Sequence, residues 1–160
     1  MATRKFNMHM LLHSAALIED RLRQRLARLG VPPRQARILD ALDNVGSASQ
    51  ADLARAFHIK PASMSTMTMR LLDAGLISRE VDANEVRSNI LKLSAAGQDL
   101  LSEIRAAWHD IDLLIDDTIG VENAEQLADL TGRLRDGLGG QTPAGELKDI
   151  KVDVQNTTPK

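Results

Sequence analysis

SASQADLARAFHIKPASMSTMTMRLLDAGLISREVDANEVRSNILKLS, the stretch from Ser47 to Ser94, carries the pattern that decides the fold of this chain. Apolar residues recur at helical spacing in its first half, and short alternating runs follow in its second half. Pro61 interrupts the helical part, and proline suits the first position of a new helix because it has no amide proton to donate. The pattern therefore predicts two helices that meet at a tight turn, followed by two strands.

The first of these helices is predicted over residues 50–58. Ser49 followed by Asp52 resembles the capping box that starts many helices. Leu53, Ala54 and Phe57 then form one apolar face, as in a helix of about two turns that packs on a core.

The second helix is predicted over residues 61–74, and its two faces differ in chemistry. The face predicted to be in the core carries Met64, Met67, Thr68 and Leu71. The opposite face is small, rich in hydroxyl groups and free of acidic residues, which allows a close approach to phosphates and base edges. Its members are Ala62, Ser63, Ser65, Thr66, Met69 and Arg70. Gly75 is predicted to end the helix as a left-handed cap.

Residues 76–79 and 90–93 alternate as short strands do, and the polar segment between them contains the turn composition Asp82-Ala83-Asn84. Two helices and a hairpin in this order outline a winged helix-turn-helix. The second helix of that motif fits the major groove of B-DNA, which is about 12 Å wide. Arg87 is the only basic residue in the loop and the best candidate for a backbone or minor-groove contact.

The run LARAFHIKPASMSTMTMRLLDAGLISREVDANEVRSNILKLSAAGQDLL resembles the multiple antibiotic resistance regulator (MarR) family of bacterial transcription factors. The resemblance covers roughly residues 31–101, and the succession Leu-Ile-Ser-Arg, wing, Leu-Ser-x-x-Gly is its most specific part. The wing departs from the family pattern, because Asn84 stands where an arginine is common. An acid–arginine pair remains as Glu85 and Arg87.

The residues predicted to bind DNA lie at the start of the second helix, on its acid-free face and in the wing. They are Lys60, Pro61, Ala62, Ser63, Ser65, Thr66, Met69, Arg70 and Arg87.

The composition limits the other classes of function. The 160 residues suffice for one hydrophobic core. The absence of cysteine excludes disulfides, thiolate–zinc sites and thiol-based sensing. Aromatic residues number only three, so the stacking of single-stranded bases is poorly supplied. No apolar run approaches the roughly 18 residues that span a membrane, and we expect a cytoplasmic protein without a cofactor.

The formal net charge of −2 is unevenly divided along the chain. Residues 1–30 hold six basic and two acidic side chains, and residues 55–94 hold six and four. Residues 95–140 hold three basic and ten acidic side chains. The segment predicted to read DNA is therefore mildly basic, and the helices after it are acidic, either to limit non-specific binding or only as solvated faces.

The flanking segments carry apolar stripes that are long for helices of a single domain. We expect residues 1–30 and 95–138 to be dimerisation helices around a reading domain at residues 31–94, with a flexible tail at 139–160. The alternative is that these helices pack only on their own domain. The residues predicted for dimerisation are Leu11, Ala15, Ile18, Leu22, Trp108, Ile111, Ile115, Leu127 and Leu130.

A ligand pocket is a further possibility implied by the resemblance, since the family's inducers bind between the dimerisation helices and the reading domain. His9, His13 and Trp108 are candidates to line it, and Arg37 is a candidate anion anchor. The alternatives are solvent-exposed histidines, a core Trp108 and a surface ion pair of Arg37 with Asp40. His9 and His13 are four residues apart, but no third ligand lies at a suitable spacing, so we predict no metal site.

These observations predict a mainly α protein with a small β-hairpin wing (α+β), a winged helix-turn-helix with N- and C-terminal dimerisation helices. The predicted function is a homodimeric DNA-binding regulator, a repressor that a small aromatic or phenolic acid releases from a near-palindromic operator. The alternative is a winged-helix module that binds proteins and does not read DNA. No pair of residues is spaced for catalysis, so we do not predict an enzyme.

Overall fold

The computed structural model describes residues 7–81 and 89–157 and shows seven helices and three strands in this part of the chain. The elements follow in the order α1 (Asn7–Ala27), α2 (Pro33–Val45), β1 (Ala48–Ser49), α3 (Gln50–Ala56), α4 (Pro61–Asp73), β2 (Ile77–Val81), β3 (Asn89–Leu93), α5 (Ala95–Ile119), α6 (Val121–Gly137) and α7 (Pro143–Thr157). The predicted mainly α fold with a small sheet is confirmed.

The predicted helix-turn-helix is formed by α3 and α4. The side chain of Ser49 accepts a hydrogen bond from the backbone N–H of Asp52 at 3.1 Å, so the predicted cap starts α3. His58, in the turn, has a φ of +51° and is the only non-glycine residue with positive φ in the described part of the chain. Pro61 is the first residue of α4, and Gly75 beyond its end has a φ of +71°. The sequence thus predicted both helices to within two residues.

Thr68 joins the two helices from inside the core. Its side chain is fully buried on α4, and its hydroxyl lies 3.0 Å from Gln50 Oε1 at the start of α3 and 3.0 Å from the carbonyl oxygen of Met64. A hydroxyl has one proton to donate, so these two acceptors share it in alternation. The contact fixes the position of α4 relative to α3. Burying the Thr68 hydroxyl costs little free energy of folding, because the hydroxyl always has a hydrogen-bond acceptor.

The wing is part of a three-stranded antiparallel sheet with the order β1-β3-β2. Ile77 pairs with Leu93 and Val81 with Asn89, while Ala48 of β1 pairs with Leu91 on the other side of β3. The sequence predicted the hairpin but not β1, because a strand of two residues shows no alternation. The pairing of β1 ties the residues just before α3 to the wing.

A tight junction connects the end of α4 with the start of α5. The Ser94 hydroxyl donates to the carbonyl oxygen of Gly75 at 2.6 Å and accepts the backbone N–H of Gly97 at 3.0 Å. A Cβ atom on Gly97 would lie 2.1 Å from the Leu76 carbonyl oxygen, far inside van der Waals contact. The Leu-Ser-x-x-Gly pattern at the start of α5 is therefore a packing requirement as well as a helix cap.

The core lies where α2, α3, α4, the sheet and the first half of α5 meet. Ile38, Leu39, Leu53, Met64 and Ile104 are among its fully buried members. On the surface, Arg105 of α5 forms ion pairs with Asp40 and Asp43 of α2 at 2.7 and 2.8 Å. Its hydrogen bonds to Asp40 and, second, to Asp43 raise the pKa of Arg105 above its ordinary value. The start of α5 is thus held to α2 both by apolar contacts and by ion pairs.

Most of the tail that the sequence predicted to be flexible is helical. Residues 143–157 form α7, which packs against α2 and α3 and buries Leu147 to 1% exposure. The sequence reasoning missed it because the glycines at 137, 139 and 140 indicated a chain end and because one buried leucine gives no stripe. Leu147 is buried only when α7 packs against the folded domain.

Gly97→Ala is expected to destabilise the protein by about 3 kcal/mol, because the new methyl group must push the Leu76 carbonyl out of place. The measurement is the free energy of unfolding by urea. Gly137→Ala is the matched control, since a Cβ there meets no atom within 4 Å. Equal stabilities of the two variants would contradict the described packing of Gly97.

Candidate nucleic-acid interface

The outward face of α4 is open to solvent along its whole length. Ala62, Ser63, Thr66, Met69 and Arg70 are exposed, and Ser65 is half-buried at the edge of the face. Met64, Thr68 and Leu71 are buried on the other side, as the sequence predicted. The first acidic residue of the helix is Asp73 at its last position, so the exposed face presents hydroxyl groups, one thioether and one cation.

At the start of α4 the backbone is accessible from solvent. Lys60 is the N-cap residue and Pro61 the first helical residue, and both are exposed. No side chain caps these first N–H groups, and a helix N-terminus favours a negative charge nearby. The Thr66 hydroxyl donates to the carbonyl oxygen of Ala62 at 3.1 Å, so it must turn away from its own helix before it can donate to a phosphate.

The cations near this face differ in how far their charge is already neutralised. Arg55 pairs with Asp52 at 3.2 Å and Lys92 with Glu80 at 2.5 Å. Lys60, Arg70 and Arg79 are exposed and take part in none of the ion pairs between described residues. Arg79, in β2 of the wing, is a candidate that the sequence reasoning did not name. Only the folded chain shows that Ile77 is the one buried residue of this strand and that Arg79 is exposed.

The predicted wing contacts lie outside the described residues. These are Arg87 and the ion pair of Glu85 with Arg87, and they stay predictions. The described strands bring Val81 and Asn89, which flank the segment with Glu85 and Arg87, into register.

The residues predicted for dimerisation fall into three groups by exposure. Leu11, Ala15, Leu127 and Leu130 are exposed, and Leu130 is 57% exposed. Ile18, Leu22, Trp108 and Ile115 are half-buried, and Leu22 and Trp108 pack against the core of their own chain. Ile111 is 6% exposed, so its side chain is already covered within one chain and has little surface left for a partner. That assignment needs correction.

Further apolar side chains are exposed on the same helices. On α1 they include Met10, which is 70% exposed, and Leu17. Leu134 is exposed on α6, which has no buried residue at all. An apolar surface of this extent on several adjoining helices is unusual for a chain that remains alone.

The four residues predicted to line a ligand pocket lie in three places of the chain. His9 and His13 are exposed near the start of α1. Arg25, 12 residues after His13, donates a hydrogen bond to Asp110 of α5 at 2.6 Å. His13 therefore lies about 18 Å along α1 from this contact, which is two residues beyond Trp108 on α5.

Arg37 is exposed on α2 with its guanidinium 5.9 Å from the centre of the Phe57 ring. Asp40, its predicted partner, pairs with Arg105 instead. One chain therefore does not bring the four residues together, and a pocket between two copies stays a prediction.

Two open grooves lie elsewhere on the surface. One is next to the turn before α4 and is lined by Gln50, Ala51, Ala54, Arg55, His58, Ile59 and Pro61. The other runs along α6 and is lined by Glu122, Glu125, Gln126, Asp129 and Leu130. Across residues 7–81 and 89–157, no three histidine or acidic side chains are grouped as a metal site would need, and no helix is both long and apolar enough to cross a membrane.

Two helices in a helix-turn-helix, an exposed second helix and a hairpin completed by a short third strand define the class of winged helix-turn-helix proteins. The MarR family model matches residues 29–88, which include α2, α3, α4 and β2. The predicted resemblance to the MarR family is confirmed over this segment.

Solved structures of the family have the same fold beyond the matched segment. The YusO protein of Bacillus subtilis is 24% identical, with a TM-score of 0.65 over 81% of this chain and 93% of its own. A cysteine-to-serine mutant of Escherichia coli MarR, crystallised with operator DNA, is 16% identical, with a TM-score of 0.70 over 81% and 94%. The Mycobacterium tuberculosis MarR-family protein Rv2887, in complex with salicylic acid, is 22% identical, with a TM-score of 0.69 over 84% and 99%.

Proposed function

We propose that the protein is a cytoplasmic, homodimeric transcriptional repressor that binds a near-palindromic DNA operator through α4 and the wing and is released by a small aromatic or phenolic acid. We propose neither a cofactor nor an enzymatic activity. The observation that carries the proposal is the exposed, acid-free face of α4. The DNA complex of a MarR protein with the same fold supports it.

In this proposal the face of α4 enters the major groove. Ser63, Ser65 and Thr66 donate to phosphates or base edges, and Ala62 and Pro61 leave room for the backbone to approach. Met69 offers an apolar contact to a thymine methyl group, while Lys60 and Arg70 meet phosphates. Arg87 and Arg79 anchor the wing on the neighbouring backbone or in the minor groove.

The dimer is proposed from the apolar faces of α1, α5 and α6. A second copy of the chain would cover these faces and place two α4 helices about 34 Å apart, one turn of B-DNA. The acidic second half of the chain would then lie between the reading domains and away from phosphates. Linking two reading domains multiplies their affinity only when both half-sites are within reach together.

Selection of bound sequences from a random DNA pool tests the function directly. We expect a near-palindromic sequence with half-sites one helical turn apart. Recovery of no preferred sequence at low salt would favour the alternative, a winged-helix module that binds proteins.

Arg70→Ala is expected to weaken binding to the selected operator about tenfold and to lower the slope of log K against log salt by about two. The reason is the loss of one phosphate contact from each α4. Gel-shift titrations at several salt concentrations measure both values. Arg133→Ala is the control, because it removes the same charge from the exposed surface of α6. An unaltered slope for Arg70→Ala would mean that this side chain does not contact DNA.

Leu130→Asp is expected to separate the dimer, because it places a charge in the apolar face of α6. Sedimentation equilibrium should give about twice the 17.5 kDa of one chain for the wild type and 17.5 kDa for the variant. Leu130→Met keeps the apolar surface and should remain dimeric. A wild-type protein that sediments as a single chain would contradict the proposal.

The effector is proposed from the salicylic acid complex of Rv2887 and from His9, His13 and Trp108, which lie on helices proposed for dimerisation. Millimolar salicylate is expected to lower the affinity for the selected operator, because a ligand wedged between helices changes the distance between the reading domains. Benzyl alcohol, which has the ring without the carboxylate, is the control. An affinity that salicylate leaves unchanged would remove this acid as the effector.

A further inference from the structure

The last helix, α7, connects α6 with the reading domain. It follows α6, which packs against α5, and it lies on α2 and α3 of the reading domain. A segment that bridges two parts in this way restricts their relative movement if its ends are fixed and its connector has no slack. The structure meets both conditions.

The connector between α6 and α7 is almost fully hydrogen-bonded. The N–H groups of Gly139 and Gly140 fold back on the carbonyl oxygens of Asp136 and Arg135 at 3.0 and 2.9 Å. The Thr142 hydroxyl accepts the N–H of Gly145 at 3.2 Å at the start of α7. Only Gln141 lies between these two anchored ends, and one residue spans at most about 3.6 Å.

The far end of the bridge is fixed on the reading domain by one apolar and two polar contacts. Leu147 is 1% exposed in the core. Lys151 Nζ donates to the carbonyl oxygen of Val45 at 2.8 Å, and burial lowers the pKa of this lysine. That carbonyl belongs to the last turn of α2, where a cation is favourable and a backbone acceptor lacks a partner in the helix. Glu146 Oε2 lies 3.1 Å from Nε2 of His58, which is in the turn that precedes α4.

The bridge does not cover the surface proposed for DNA. With α7 in place, Ala62, Ser63, Thr66 and Arg70 are all exposed. The helix contacts the reading domain on α2, on α3 and at His58 in the turn before α4. The helix therefore packs on the reading domain without blocking the face of α4 that is proposed to bind DNA.

We propose that α7 is an intramolecular brace that locks the reading domain to α6 and so fixes the distance between the two α4 helices of a dimer. This rests on the proposed function only for its effect on DNA, because the locking itself is a property of one chain. With the brace in place, only operators whose half-sites match the fixed distance are bound tightly. Once it is released, the reading domains sample a wider range of positions, and mismatched spacings are tolerated better.

The test compares three substitutions in the full-length protein. Leu147→Asp and Lys151→Ala each remove one of the contacts that fix α7 on the reading domain. Lys148→Ala is the matched control, because it removes a lysine from the exposed side of the same helix, three residues from Lys151. Circular dichroism verifies that each variant is folded, and Lys151→Ala carries the test if Leu147→Asp is not.

The first measurement needs no DNA. The chain has no cysteine, so Asp73→Cys and Glu122→Cys introduce two unique sites for spin labels at the end of α4 and the start of α6. Doubly labelled chains are diluted into unlabelled protein, and the distance distribution is measured by double electron–electron resonance. We expect one narrow distribution for the wild type and Lys148→Ala and a broader one for the two released variants. Equal widths for all four proteins would overturn the brace.

The second measurement uses the selected operator and versions of it with one base pair added or removed between the half-sites. We expect the released variants to bind the original operator about tenfold more weakly and to distinguish the spacings less than the wild type does. Tighter binding of the original operator by Leu147→Asp would show that α7 inhibits binding, which contradicts the proposal. If even the wild type binds no DNA, the proposed function fails, while the label distances still decide whether α7 is a brace.

Discussion

The contact of Gly97 with the carbonyl group of Leu76 is the constraint on which the rest of the structure depends. It brings the first turn of α5 against the chain that leaves α4, and the Ser94 hydroxyl holds both ends of this junction. The direction in which α5 leaves the reading domain follows from it. Since α5 in turn carries α6, the same contact sets where the apolar faces lie relative to α4.

The reading domain is held at three points around this junction. Arg105 and apolar contacts join α5 to α2, the pairing of β1 with β3 ties the start of α3 to the wing, and α7 closes over α2 and α3. Each surface ion pair alone adds at most about 1 kcal/mol. Their significance is geometric, because together with the buried leucines they restrict how the domain can be oriented. A protein that reads two half-sites needs a defined orientation more than it needs additional stability.

The acidic residues are concentrated away from the outward face of α4. The outward face of α4 has no acidic residue before Asp73, and the helices after the wing carry most of the acid of the chain. The local sign of the charge is what a phosphate meets, since charges farther away than about 10 Å are screened by salt. An overall charge of −2 is thus compatible with a DNA-binding surface.

The helix-turn-helix and the hairpin were predictable because their signals are local. The Ser49 cap, Pro61, Gly75 and the alternation of the strands each depend on residues close in sequence, and both faces of α4 were assigned correctly from helical spacing. The part of the candidate site on α4 was therefore predictable from the sequence. Arg79 was not, because alternation would place it on the same face as the buried Ile77, and only the folded chain shows that it is exposed.

By itself, the sequence determined the reading motif, its acid-free face and the presence of long apolar stripes on the flanking helices. Only the tertiary structure decided which stripe residues remain exposed, so that Ile111 is covered within the chain while Leu130 is not. It also decided that Asp40 pairs with Arg105 and that residues 143–157 form a docked helix. The physical reason is the same in each case: these contacts join residues far apart in the chain, and periodicity along one segment carries no information about what another segment covers.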